Sequence, residues 1–183
     1  MVLDRLALHE GLLFEPGNAL EGYEGPDPFR WTRSFDPDAL LVEPGTFMNL
    51  SGEVVAPIVR WSGAAPEDCM VVYDDMDLPP GTLRIRPSGS SGGHKGLQSI
   101  IESLGTERIP RLRVGIGRSS TEAARHVLSR FSAQEQSSIE SAVAEAAEAI
   151  FFWLESGDLA KCMTRFHSRW RAEPPSPSDT HPV

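Results

Sequence analysis

The sequence predicts an α/β fold: a single domain with one mixed, twisted sheet and helices on both of its faces. Three observations lead there. Short apolar runs of strand length, Cys69–Tyr73, Thr82–Arg86 and Arg111–Ile116, alternate with stretches in which apolar residues recur at helical spacing. Glycine and proline clusters separate the two kinds of segment. The chain of 183 residues, 40% hydrophobic and 23% charged, is long enough to enclose one full core.

From the amino terminus, Val2, Leu3, Leu6, Leu12 and Leu13 suggest a short opening helix ending near Gly11. Residues 15–28, rich in proline, glycine and acid, read as a loop. Two strands follow, Phe29–Phe35 and Ala39–Val42, around an Asp-Pro-Asp turn. Between Thr46 and Trp61 the residues Phe47, Leu50, Val54, Val55, Ile58 and Val59 keep a helical period, and Pro57 should kink that helix or mark a boundary. The strands Cys69–Tyr73 and Thr82–Arg86 flank a Pro-Pro-Gly turn. A glycine and serine loop, Pro87–Gly93, opens into a helix over His94–Leu104, and the strand Arg111–Ile116 comes next. Ala133–Leu154, rich in alanine and glutamate, is the longest predicted helix, and Leu159–Trp170 a shorter basic one. The domain is expected to span residues 1–172, with residues 173–183 a disordered, proline- and serine-rich tail.

A net charge of −9 argues against a general nucleic-acid binder, so any such contact must be local. No run of 18 apolar residues suggests a membrane span, and the opening residues lack the plan of a signal peptide. Cys69 and Cys162 are isolated and fit a reducing cytoplasm.

Four segments could carry chemistry. Tyr73-Asp74-Asp75-Met76-Asp77 places carboxylates at the carboxyl end of a strand, where α/β sheets present ligands. Such a carboxylate could orient a histidine base, hold Mg²⁺, or simply cap the strand. In Ser88-Gly89-Ser90-Ser91-Gly92-Gly93-His94-Lys95-Gly96, glycines and a helix start could bring backbone N–H groups to an anion. His94 stands where a Walker loop would need otherwise, so that motif fails. Between Pro79 and Arg118 there are seven basic residues against two acids, a local positive island suited to phosphate, or arginines that keep edge strands soluble. In Gly45-Thr46-Phe47-Met48-Asn49-Leu50-Ser51-Gly52, Asn49 could cap a helix or hold a carbonyl or ester, and Phe47 reads as core or as a stacking platform.

Taken together, EPGTFMNLSGEVV, VVYDDMDLPPGTLRIR, GSSGGHKGLQSIIESLG and PRLRVGIGR resemble bacterial-type peptidyl-tRNA hydrolase, with weaker matches at HVLSRF and KCMTRFH. The resemblance covers the chain from Met1 to about Trp170. It implies hydrolysis of the ester between a peptide and the terminal ribose of tRNA, by a monomer in the cytoplasm, without metal or organic cofactor. It places the aspartate that orients a general-base histidine on Asp74 and the substrate-contacting asparagine on Asn49, with Phe47 lining the tRNA end. The phosphate clamp falls on Arg86 and Arg113, and substrate contact also on His94 and Lys95. Lys95 stands where the family often has asparagine, a charged donor without an acceptor.

One departure is larger. The family opens with a strand, a Gly-x-x-Asn-Pro-Gly loop and a Thr-Arg-His-Asn segment. Met1–Ala7 matches the helix after them, so the catalytic histidine of the resemblance has no counterpart here. The expectation is therefore a hydrolase whose sequence begins at an internal methionine. The alternative is a non-catalytic RNA-binding relative that has lost its base. Of the other histidines only His94 adjoins the site, while His9, His126, His167 and His181 read as surface or packing residues. A missing first strand should leave a neighbouring strand edge exposed.

Overall fold

A computed structural model describes residues 1–117 and 133–166 of the chain. The α/β class expected from the alternation of segments is present, with the strands divided between two three-stranded sheets. The first is antiparallel and is ordered β1 (Glu15–Pro16), β2 (Phe29–Phe35), β3 (Asp38–Pro44). In the second, β6 (Arg111–Gly115) lies between β4 (Val71–Asp75), to which it is parallel, and the antiparallel β5 (Leu83–Arg86). Among the described residues no ladder joins β3 to β4, so both are edge strands, as are β1 and β5 at the far sides of the two sheets.

The five described helices are α1 (Val2–His9), α2 (Ser51–Ser62), α3 (Lys95–Leu104), α4 (Ala133–Ser156) and α5 (Leu159–Phe166). β3 shows how both sheet faces are covered. Leu41 joins the core made with Leu6 of α1 and Ala146 and Ile150 of α4. Its neighbours Leu40 and Val42 pack instead with Val54 and Ile58 of α2. That is the period of two of a strand buried on both faces.

Several boundaries differ from the sequence expectation. The opening helix ends at His9, because Gly11 turns the chain at φ +67°, and Leu13 is left exposed. The 15–28 segment is not wholly a loop: Glu15–Pro16 pairs with β2, and the Trp31 indole donates to the Pro16 carbonyl at 3.1 Å. α2 runs through Pro57 without a break and starts only at Ser51, after a 3₁₀ turn over Met48–Leu50. β4 is displaced to Val71–Asp75, which brings Asp74 and Asp75 into the ladder. Arg118, His126, HVLSRF, His167, His181 and the expected tail 173–183 lie outside the described residues.

α2 and α3 pack closely at Gly52. A Cβ there would fall 2.2 Å from the Ser99 carbonyl oxygen and 2.4 Å from Ser103 Oγ, and the Gly52 N–H donates to Ser99 Oγ at 3.0 Å. Gly52→Ala must push the two helices apart and is expected to lower stability by about 1–3 kcal/mol. Urea unfolding of the variant beside the parent checks this.

Candidate functional site

The site forms where three elements of the sequence meet: the carboxyl end of β4, the amino terminus of α3 and the turn before α2. α3 begins at Lys95 because His94 caps it. The His94 Nδ1 accepts the Leu97 N–H at 3.1 Å, the task usually given to a Ser or Asp oxygen. The imidazole also lies against the Tyr73 ring, centroids 4.4 Å apart. Gly96 lets Met48 approach, since a Cβ on it would stand 2.5 Å from Met48 Sδ. This contact seats the Met48–Leu50 turn, with Asn49 in it, against the start of α3.

The His94 hydrogen bond decides its chemistry. A neutral ring whose Nδ1 lone pair accepts a backbone N–H carries its proton on Nε2, so neither nitrogen is left as a base. Burial lowers the pKa of His94, although the Asp74 and Asp75 charges oppose it, so the neutral form is favoured in the fold. His94 is thus a hydrogen-bond donor toward the cleft rather than a stand-in for a catalytic base. The unfolded chain binds the proton at higher pH than the folded one. His94 therefore contributes stability that is complete above its ordinary pKa of 6.5 and is lost as pH falls below that through the lowered folded value. Unfolding free energies measured from pH 7.5 down to 5 should decline with a slope that His94→Asn reduces.

The three acids after Tyr73 are divided by the pleat. In the parallel register Tyr73 is opposite Arg113 and Asp75 opposite Gly115, while Asp74 is opposite Val114 and turns to the other face. Asp75, almost fully buried, accepts from Arg113 Nε through one oxygen and from the Asp77 N–H at 2.8 Å through the other. Burial disfavours the Arg113 charge, but the Asp75 hydrogen bond and charge outweigh it and raise the Arg113 pKa. Asp74 is not part of that pairing and lines a cavity between the two sheets, together with Tyr73, His94, Met48 and Thr46. Among the described residues no three His, Cys, Asp or Glu side chains group as a metal site would.

The basic island resolves into different duties. Arg84 and Arg113 are paired across the β5–β6 ladder, as are Arg86 and Arg111, so all four guanidinium stems leave one face of the sheet. Arg111 is buried, 2% exposed, and donates to four carbonyls: Ile109 at 3.1 Å, Gly89 at 2.6 Å, Ser90 at 2.9 Å and Glu107 at 3.0 Å. It ties the glycine loop to the sheet, a role that the sequence reading missed. Arg113 is committed to Asp75, while Arg84 and Arg86, both half-buried, have no ion-pair partner among the described residues. Arg108 pairs at the surface with Glu67.

Asn49 is exposed and caps nothing, since α2 has no side-chain cap and the amide makes no hydrogen bond among the described residues. Phe47, weighed as core, is 80% exposed beside Met48 at 52%. Lys95, at the first position of α3, is exposed as well. Of the expected site residues, Asp74 and His94 line the cavity itself, while Phe47, Asn49 and Lys95 are exposed on the turn before α2 and at the start of α3 beside it.

The sequence model of the family described as Peptidyl-tRNA hydrolase matches residues 1–174, nearly the whole chain. The chain belongs to the peptidyl-tRNA hydrolase family. A family member from Syntrophomonas wolfei is 54% identical over 118 residues, which is 64% of this chain and 64% of that relative. One from Symbiobacterium thermophilum is 40% identical over 170 residues, 92% of this chain and 87% of that one. The crystal structure of peptidyl-tRNA hydrolase from Acinetobacter baumannii superposes with a TM-score of 0.78 at 27% identity, covering 91% of this chain and 83% of that one. The match to the Syntrophomonas wolfei relative thus spans just under two thirds of that relative's length. No helix of the described residues is long and apolar enough to cross a membrane.

Proposed function

We propose that this member of the family hydrolyses the ester joining peptide to tRNA in peptidyl-tRNA, as a cytoplasmic monomer. Asp74 would orient a general-base histidine and stabilise its protonated form while water attacks the ester carbonyl. The observation that carries this reading is the separation of the acids: Asp75 is neutralised by Arg113, and Asp74 faces the cleft with its charge unspent. Asn49 would hold the ester, the exposed Phe47 would take the terminal base by stacking, and His94 and Lys95 would donate to substrate oxygens. Arg86 and Arg113 form the proposed phosphate clamp. Arg86 is the more available of the two, because Arg113 must share its charge with Asp75.

The base itself is not supplied by His9 or His94, the two described histidines. His9 lies exposed at the end of α1, paired with Glu10, and His94 is a donor. Neither of these two is proposed as the base, and the three remaining histidines, His126, His167 and His181, lie outside the described residues.

A second reading, a tRNA-binding relative without catalysis, is favoured by the one fact that the His94 lone pair is occupied. Release of labelled peptide from peptidyl-tRNA by the 183-residue chain separates the two, because turnover well above buffer excludes the binder. In either case Arg86→Ala is expected to weaken tRNA binding and to lower the slope of log affinity against log salt by about one. An unchanged slope would take Arg86 out of the clamp.

A further inference from the structure

Tyr73 lies against the His94 ring, and none of the proposed steps of hydrolysis uses it. The imidazole is held by more than its cap. Its Nδ1 accepts the Leu97 N–H at 3.1 Å, which decides the edge of the ring that meets the helix. One hydrogen bond through one atom leaves a ring free to rock about that bond. The Tyr73 ring removes this freedom, with centroids 4.4 Å apart and the planes at 41°. Aromatic pairs usually stand roughly 4.5–7 Å apart, so this contact is at the tight end. The backbone confines another part of the imidazole, because a Cβ on Gly96 would lie 3.1 Å from His94 Cε1.

Tyr73 is in turn fixed by the sheet. It stands opposite Arg113 in the β4–β6 ladder, and Arg113 stands opposite Arg84 on β5. The three side chains therefore leave one face of the sheet in a row. Asp75, two residues beyond Tyr73 on the same face, holds Arg113. Burial raises the pKa of the Tyr73 phenol, opposed by the Arg113 and Arg111 charges, so the ring is neutral. It offers His94 a wall whose position is set by β4.

We propose that Tyr73 is a positioning residue: its ring pins the tilt of His94, so that the bond from Leu97 persists and Nε2–H stays aimed into the cleft. The ring is the working part, and the hydroxyl is dispensable. The consequence for substrate rests on the reading of His94 as a donor to peptidyl-tRNA. The consequence for the imidazole itself does not.

The test takes the ring and the reaction separately. In the 183-residue chain with nitrogen-15-labelled histidine, at pH 7.5, the two ring nitrogens of His94 report its tautomer. Their signals are identified by their loss in His94→Asn. The parent is expected to show Nδ1 as the bare nitrogen and Nε2 as the protonated one. Tyr73→Phe keeps the ring and should leave both signals in place. Tyr73→Leu keeps apolar volume without a ring, and should draw the two signals together as the tautomers interconvert. The Leu97 amide should exchange faster in the same variant. Tyr73→Met serves the same purpose should the leucine variant fail to fold. Signals in the folded leucine or methionine variant that match the parent, or signals displaced as far in Tyr73→Phe, would overturn the proposal.

With peptidyl-tRNA and the full natural protein, Tyr73→Leu should raise KM by about three- to tenfold, as expected for one misaimed hydrogen bond, with kcat within about twofold. In a His94→Asn background the same change should leave KM where it is, since Tyr73 acts only through that imidazole. An undiminished effect there would also overturn the proposal. A natural protein without turnover would remove the hydrolase reading and leave the nitrogen signals to decide the role of Tyr73.

Discussion

Asp74→Asn, made in a chain that carries the base histidine, is expected to lower peptidyl-tRNA turnover by about 10²–10⁴-fold while leaving tRNA affinity within about twofold. The asparagine keeps the shape of the side chain and its place on β4. It cannot stabilise a protonated imidazole, and it can present its amide N–H where a carboxylate would accept, which favours the wrong tautomer. The loss corresponds to about 2.7–5.5 kcal/mol of transition-state stabilisation. Asp75→Asn is the informative companion. Its carboxylate is tied to Arg113 and the Asp77 N–H, so the change should act first on stability and only then on rate. Single-turnover release of labelled peptide and filter binding of tRNA resolve the two quantities. Equal losses in both for Asp74→Asn would contradict the assigned role.

Arg111→Met is expected to destabilise the fold by about 3–5 kcal/mol and to loosen the glycine loop. Methionine replaces the stem of the side chain and removes every donor. The carbonyls of Gly89, Ser90, Glu107 and Ile109 then lose charge-assisted partners at a place where water enters poorly. Burial lowers the Arg111 pKa, opposed by the nearby Tyr73 and Glu107, so the guanidinium is held by carbonyl oxygens rather than by an ion pair. Chemical denaturation gives the energy, and amide exchange at Gly89–Gly93 reports the loop. Arg111→Lys restores a charge but not the fork and should recover only part of the loss. A methionine variant as stable as the parent would mean that the loop holds itself.

The fold class was legible because its signals are local. Apolar runs, helical periods and Gly-Pro turns each lie within a few residues, and they locate β2, β5, α3 and α4 to within a residue or two. Pairing between distant segments leaves no such trace. Nothing within Leu40–Val42 or Val71–Tyr73 says whether those strands are neighbours, and the division into two sheets was therefore not foreseen. The sequence did suggest that a strand edge would stand open. β1 escaped notice because two exposed residues, one a proline, carry no periodicity. β4 was placed two residues early because its apolar run stops at Tyr73, whereas its hydrogen bonding to β6 continues through Asp75.

At the site, residue type and spacing reached the cluster but not its internal division. Three acids in five residues allow several chemistries. Register alone turns Asp75 toward Arg113 and Asp74 toward the cavity. The alternation of Arg84 with Arg86 and of Arg111 with Arg113 was readable, and the pleat does put all four on one face. That Arg111 is buried under the glycine loop depends on carbonyls contributed from both 89–90 and 107–109, which no local pattern encodes. Phe47 was weighed as core for its aromatic ring, yet the 3₁₀ turn that follows it leaves the ring in solvent.

Release of labelled peptide from peptidyl-tRNA by the full natural protein tests the proposed hydrolysis most directly. Release far above the buffer rate, lost in Asp74→Asn with tRNA binding retained, is expected. Release at the buffer rate by that protein, with binding intact, would contradict it.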